Sequence, residues 1–285
     1  TGLSAVYDIV IKTQAEFEAL IASETWLGAT SVALVGQFTY SEENNSGIKI
    51  PDTVRQIHGF NSAKITITNF AWNISTAKGG LWYDTRPTTP DYSIRDLEVS
   101  CTGTSGYSSY GFYNCNNLLN CTGTGTGTGA GTNGSGFIYC TNLTNCTGTG
   151  TGYSGCGFSN CNNLSNCTGT GTGTGTNGYG FYNCNNLSNC TGTGTGTNGY
   201  GFSNCNNLSN CTGTGTGANG YGFYNCNNLS NCTGTGSGTA GFGFHKCDNL
   251  SNCTGTGTGD YGYGFYEINY ASNCKDGGSS TNMWG

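Results

Sequence analysis

The block Gly-Tyr-Gly-Phe-Tyr-Asn-Cys-Asn-Asn-Leu-Ser-Asn-Cys-Thr-Gly-Thr-Gly-Thr-Gly-Thr-Asn, which begins at Gly178, recurs to the C-terminus. Phe112, Phe137, Phe158, Phe181, Phe202, Phe223, Phe244 and Phe265 mark eight copies, spaced 25, 21, 23 and then four times 21 residues. A fixed period of this size makes each copy one coil of a solenoid, because a single copy cannot bury its apolar residues until a neighbour stacks on it.

Composition alone points the other way. The chain has 51 glycines and only 8% charged residues, which resembles low-complexity disorder. The strict period of Phe, Cys and Leu argues against disorder, since stacked coils can bury them in one continuous core. Between Cys101 and His245 there is no Asp, Glu, Lys or Arg. Nucleic-acid binding needs Lys and Arg against phosphates, so that stretch is a poor candidate for it. No run of 18 apolar residues exists, so no membrane span is expected. The chain opens on Thr1 with no methionine and no signal-peptide pattern, as expected of a processed product or a piece of a longer chain.

Within a copy the apolar residues fall three apart, at Phe181, Cys184, Leu187 and Cys190, and Asn183, Asn186 and Asn189 precede the last three. Asn, Gly and Thr are weak helix formers. A chain bending every few residues fits better, with Asn at corners where its backbone tolerates left-handed φ. Equivalent Asn residues are then expected to form ladders about 4.8 Å apart. The Thr-Gly tract that follows alternates with period two, a strand signal. The longer copies add two and four residues, and even additions preserve the two faces of a strand. With Cys190 inward, Gly192, Gly194 and Gly196 point inward and Thr191, Thr193 and Thr195 outward. The opposite choice would require partners for inward hydroxyls.

The first hundred residues differ. Val6, Ile9 and Ile11 suggest a strand, and Thr13-Gln14-Ala15-Glu16 is a capping box opening a helix with Phe17, Leu20 and Ile21 on one face. Strand-like pieces follow at Ser31–Gly36, Gly47–Ile50, Val54–Ile57, Ala63–Thr68, Phe70–Ile74 and Tyr92–Val99. The expected division is a cap at 1–30, irregular coils at 31–100, regular coils at 101–266 and a terminal segment at 267–285. The chain is thus expected to be an all-β, right-handed parallel β-helix (β-solenoid) of about 21-residue coils. Its N-terminal amphipathic helix would close the core.

On the capping helix Thr13–Ser23, the segment Gly47-Ile48-Lys49-Ile50-Pro51, the run Ile65-Thr66-Ile67-Thr68-Asn69-Phe70 and the Phe-x-x-Cys-x-x-Leu-x-x-Cys coils, the chain resembles the pectate-lyase-like β-helix superfamily. Within it, the shafts of bacteriophage tail spikes and tail fibres are most similar. The resemblance implies a virion tail or extracellular appendage, assembled in bacterial cytoplasm. It also implies homotrimers or contacts with other virion proteins, and a bacterial cell-surface glycan or receptor as partner. No catalytic motif of the superfamily maps onto this sequence position by position.

The cysteines fall in columns. Nine lie in one (Cys101, Cys121, Cys146, Cys167, Cys190, Cys211, Cys232, Cys253, Cys274) and seven in another (Cys115, Cys140, Cys161, Cys184, Cys205, Cys226, Cys247), with Cys156 alone. Stacked free thiols, a disulfide within each coil and zinc are three readings of this pattern. An intervening inward Leu makes the disulfide awkward, and the columns lack His and the usual Cys-x2-Cys spacing for zinc, so no metal or other cofactor is expected. Asn-Leu-Ser or Asn-Leu-Thr recurs from Asn142 onward. In a secretory pathway these sequons would load the rod with sugars, which favours cytoplasmic assembly and free thiols.

Glycan hydrolysis usually needs two carboxyl groups. Candidates stand only at the ends: Asp84, Asp91, Asp96 and Glu98, then Asp248, Asp260, Glu267 and Asp276. Asp96 and Glu98 could share a strand face, but charged residues on an exposed strand are the ordinary case. His58 and His245 form no visible constellation with a nucleophile and read as solvated or capping positions, so no catalytic residue is expected. Two surfaces are left. The row Tyr179, Tyr200 and Tyr221, with Tyr182 and Tyr224 beside the Phe column, could stack on sugars or pack between subunits. Outward Thr191, Thr193, Thr195, Thr212, Thr214 and Thr216 would make a flat grid similar to that of solenoid antifreeze proteins, although Ala130, Ala218, Ser237 and Asp260 interrupt the tract. A structural and adhesive shaft is the first expectation and ice binding the alternative. A glycan-degrading spike and a self-assembling filament come behind them. At the C-terminus Glu267-Ile268-Asn269-Tyr270-Ala271 breaks the pattern, and Trp284 is expected to dock on the last coil or on another chain.

Overall fold

The computed structural model describes residues 2–23, 26–42, 45–70, 79–84, 91–103, 108–129 and 131–277. The chain winds into an all-β parallel solenoid of about 11 turns, consistent with a right-handed β-helix. Each regular coil has three strands, as in Asn198–Ser203, Asn206–Ser209 and Thr212–Gly215, here termed the Phe, Leu and Thr strands. Every strand pairs in parallel with its equivalent one coil away, so Phe181 lies beside Phe202, Leu187 beside Leu208 and Thr193 beside Thr214.

Asparagine makes the corners. Asn183, Asn186 and Asn189 have φ of 54°, 60° and 54°, and equivalent asparagines repeat these values through the regular coils. A left-handed backbone costs an ordinary L-residue about 1–2 kcal/mol, which Asn mitigates by local hydrogen bonding. Their side chains also bridge coils. The Asn186 amide donates to Asn163 Oδ1 at 3.1 Å, Asn207 to Asn186 at 3.1 Å and Asn228 to Asn207 at 3.1 Å. These are the expected ladders.

The core is a stack of identical layers. Phe181, Cys184, Leu187 and Cys190 are at most 2% exposed. The phenylalanine rings stack at 4.7–5.1 Å with planes within 5° of parallel from Phe112 to Phe265. Burial of each ring contributes about 1.5–3 kcal/mol. All 17 cysteines are free thiols. Cys184 donates to the carbonyl of Tyr182 and to that of Phe158 in the preceding coil, while its sulfur accepts from the Cys161 amide at 3.4 Å. Burial holds the Cys184 thiol well above its ordinary range, and pushes Cys101 up to about 12. Among the described residues no group of His, Cys, Asp and Glu could hold a metal ion.

In the strand Thr191–Thr195, Gly192 and Gly194 are buried and the threonines half-buried or exposed, as expected, whereas Gly196 lies past the strand end, half-buried, with φ of 136°. The four inserted residues sit in the loop between the Thr and Phe strands, and the two inserted residues at a register shift inside the continuous strand Thr168–Tyr182. Thr126 and Ser135 are followed in register by Thr151 and Cys156, so the four extra residues fall between them. The two extra residues likewise fall between Thr172 and Tyr179, whose partners are Thr195 and Tyr200. Neither insertion touches the paired tract.

The helix Gln14–Ala22 begins at the capping box: Thr13 Oγ1 accepts from the Glu16 amide, and Glu16 accepts from the Thr13 amide. It covers the core with Phe17, stacked 4.8 Å from Phe38, and with Leu20. Some expected boundaries move. The first strand is Ile9–Ile11, while Val6 caps a 3-10 turn and is 71% exposed. Only Ile48–Lys49 of the Gly47–Ile50 piece is strand, and one strand, Gln56–Phe70, takes in Ile57 and all of Ala63–Thr68. Tyr92–Val99 is two strands, Ser93–Arg95 and Glu98–Gly103, broken at Asp96 with φ of 55°. Asp96 is therefore a corner residue and does not share a strand face with Glu98. Residues 71–74 of the Phe70–Ile74 piece, Ala130 and Trp284 lie outside the described residues.

Candidate functional site

The glycines of the Thr strand let it pack directly against the Phe strand of the same coil. A Cβ built on Gly194 would stand 2.2 Å from the carbonyl oxygens of Gly178 and Tyr200. The two strands thus form a thin lamina with no side chains between them beside the Phe column. Its outer surfaces are the two candidate faces read from the sequence, threonine on one side and tyrosine on the other.

On the threonine face register is exact to the residue. Thr122, Thr147, Thr168, Thr191, Thr212, Thr233 and Thr254 form one column. Thr193 and Thr214 belong to the next, which runs from Thr124 to Thr256, and Thr195 stands in register with Thr172. Spacings are about 6.7 Å along a strand and about 4.8 Å between strands. Thr191 and Thr212 are exposed, and Thr193, Thr195, Thr214 and Thr216 half-buried. Ala218 and Asp260 fall beyond the ends of the Thr strands, and Ser237 follows the strand end at Gly236. The paired grid is therefore more regular than the sequence suggested. Glu98 borders it at one end and Lys275 at the other.

On the opposite face Tyr179, Tyr200 and Tyr221 stack at 4.9 Å, with planes 12° and 7° from parallel. Tyr182 and Tyr224 stand beside them, the first 4.9 Å from Tyr179 and the second 5.3 Å from Tyr221. Phe242 extends the stack and His245 joins it, 5.5 Å from Tyr221. Burial pushes the Tyr179 phenol up to about 12 and the His245 imidazole down. His245 is thus part of an aromatic wall; of the two positions expected for it, solvated or capping, the solvated one is not found.

His58 is likewise not solvated. The Tyr7 hydroxyl lies 2.6 Å from His58 Nδ1, His58 Nε2 lies 2.9 Å from Asp96, and Asn120 donates to the other Asp96 oxygen. Sequence reading missed this chain because its members are about fifty and forty residues apart; only the solenoid's winding brings them together. Five of the other candidate carboxylates have partners of their own. Asp84 pairs with Lys49, Asp91 with Arg55 and Glu98 with Lys64. Asp248 accepts from the amides of Asn249 and Tyr270, and Glu267 faces His245 and Lys246 at 3.8 and 3.9 Å.

Among the described residues no helix is long and apolar enough to cross a membrane. No family model matches the chain, and no curated protein matches it. Among solved structures it is similar to the A-module of the Azotobacter vinelandii mannuronan C-5 epimerase AlgE4, at 12% identity and a TM-score of 0.30 over 94% of this chain and 92% of that one. At that score the likeness says nothing about what this chain does.

Proposed function

We propose that the chain is a non-enzymatic structural and adhesive solenoid, a stiff shaft of the kind found in phage tail spikes and fibres. The observation that carries this reading is the unbroken Phe stack. Seven ring-to-ring steps link Phe112 to Phe265, about 34 Å of shaft at strand spacing. Asn ladders run parallel to it along the outside. Rigidity here comes from repetition, and the chain invests its side chains in ladders running along the axis. In this reading the rod belongs to a virion tail or extracellular appendage, three chains associate, and the tyrosine face meets a bacterial surface glycan or receptor. The test is light scattering and negative-stain imaging of purified chain, followed by sedimentation with bacterial cells. Straight rods that co-sediment with cells of some strains and not others are expected. Rods that ignore every cell surface tried would defeat the adhesive part.

The threonine register favours a second reading, ice binding. A hydroxyl-and-methyl grid in exact register, with no charged residue among its columns from Thr122 to Thr254, is what that reading needs. Thermal hysteresis and ice shaping decide it, measured beside a variant carrying Thr193→Tyr, Thr214→Tyr and Thr235→Tyr. Faceted ice lost in the variant would make the grid the working surface and displace the shaft reading.

A further inference from the structure

The aromatic face is interrupted. In one outward column Tyr110, Ser135, Cys156 and Tyr179 follow each other in register, so two small residues stand between two tyrosines. In the neighbouring column Ser159 stands between Ile138 and Tyr182. The later coils restore Tyr200 and Tyr221. The interruption opens a cleft of about 270 Å³ walled by Tyr110 and Tyr179, floored by Ser135, Cys156 and Ser159, and rimmed by Asn133.

We propose that this cleft is a binding site for one neutral pyranose ring, a site that would give the adhesive reading above its ligand class. Tyr179 stacks on Tyr200 with one ring face. On the other side the register supplies Cys156, which has no ring. A flat aromatic face open toward a cleft is what the C–H face of a sugar ring packs against. Three coil steps put Tyr110 and Tyr179 about 14 Å apart. Subtracting contact distances of about 3.5–4 Å at each wall leaves about 7 Å, room for one hydroxylated ring. The volume falls just below the range of about 300–1,000 Å³ usual for drug-sized ligands, as a site for a single ring would.

The polar groups suit hydroxyls. Ser135 lines the floor beside Cys156, Asn160 donates to Ser159 Oγ at 3.0 Å, and Asn133 Oδ1 accepts from the Ser154 amide at 3.0 Å. Each of these oxygens and the Asn133 amide retains capacity for a further bond. No charged residue occurs between Cys101 and His245, so an acidic or basic sugar would find no counter-charge in the coils that build the cleft. The occupant is therefore uncharged.

The cleft can be filled with a residue the column already uses. Ser135→Tyr with Cys156→Tyr continues the column that Tyr179, Tyr200 and Tyr221 already form. Saturation-transfer difference NMR on the full chain would be run with methyl glucopyranoside, methyl galactopyranoside, methyl mannopyranoside and N-acetylglucosamine, with glucuronate as the charged control. At least one neutral sugar is expected to bind at millimolar concentration, glucuronate at least tenfold more weakly, and the filled variant to lose the signal at least tenfold. Tyr179→Leu, which removes one wall, should weaken binding about fivefold or more even if the filled variant folds poorly, whereas Tyr221→Leu, two coils away, should not. No neutral sugar binding to wild type, or equal binding to the filled variant, overturns the proposal. Cell sedimentation on the same proteins separates the two readings. Cells bound without any sugar signal sink the cleft and leave the adhesive shaft, while a cleft-dependent sugar signal without cell binding supports the cleft and counts against adhesion.

Discussion

Gly180 and Gly192 face each other across one coil so closely that a Cβ built on Gly180 would stand 2.7 Å from the Gly192 Cα. The reciprocal Cβ, on Gly192, would stand 2.4 Å from the Gly201 carbonyl oxygen and 2.9 Å from the Phe202 ring. Alternating Thr-Gly in one strand and Gly-Tyr-Gly in the other are thus two halves of one device. Glycines close the lamina, and the residues between them are turned outward in register.

Replacing Gly192 by Ala should therefore cost more than its propensity suggests. Alanine ought to be the better strand residue on entropy grounds, but here its methyl meets backbone atoms that cannot swing aside. A loss of about 1–3 kcal/mol is expected from overpacking, read as a lower thermal midpoint by circular dichroism. Thr193→Ala, one residue away on the outer surface, should stay within about 0.5 kcal/mol of wild type. Equal effects at the two positions would contradict the closed lamina.

Asn186 has two separable jobs, and two substitutions separate them. Its φ of 60° is paid for by the Asn side chain, and its amide continues the ladder to Asn163. Asn186→Gly keeps the backbone and loses two ladder bonds, to Asn163 and from Asn207, about 1–3 kcal/mol together. Asn186→Ala loses the ladder bonds and also pays about 1–2 kcal/mol for the left-handed backbone. Chemical denaturation should rank wild type, Gly, Ala in that order. Ala equal to or more stable than Gly would show that the corner is not held by backbone conformation.

The regular coils were legible because each carries its own punctuation. Asn before the inward Cys, Leu and Cys of most copies announces a corner, and the even insertions announced intact faces. The cleft was less legible: Cys156 stood out as a lone cysteine, but only register shows that it and Ser135 occupy tyrosine positions. Tyr7, His58 and Asp96 were not legible at all. They lie in irregular coils with no repeat to count from, and Asp96 read as a strand residue because nothing local marks it as a left-handed corner.

The buried thiols make the rod sensitive to alkali. Cys101 is pushed up to about 12 by burial, and Cys190 to about 12 by the hydrogen-bonded Cys167 thiol and by burial. A folded pKa above the unfolded one contributes stability that is complete below the ordinary thiol value near 9 and is lost as pH rises toward 12. Thermal midpoints should be flat from pH 7 to about 8.5 and fall steadily above that. At pH 8 an aromatic disulfide reagent should reach Cys274, the one half-exposed cysteine, well before the rest. Fast reaction of many thiols in the native state would refute the packed columns.

Acid should act at the other end, through His58. Its imidazole is held below the ordinary 6.5 by burial and by the Arg95 charge, against the opposing pull of Asp96. In the folded state the neutral ring accepts from Tyr7 at Nδ1 and donates from Nε2 to Asp96. A depressed histidine pKa means that this stability is present above about 6.5 and is lost as pH falls through the folded value. Protonation puts a hydrogen on Nδ1 and removes the acceptor that Tyr7 uses to hold the N-terminal segment onto the coil carrying His58. Amide-exchange protection factors for Ile9–Ile11 should therefore drop between pH 7 and pH 5, while those of Asn206–Ser209 in the regular coils stay constant. His58→Phe should show the low protection at both pH values. Protection at Ile9–Ile11 that is independent of pH in wild type, or that still falls with pH in His58→Phe, would assign the N-terminal hold to other groups.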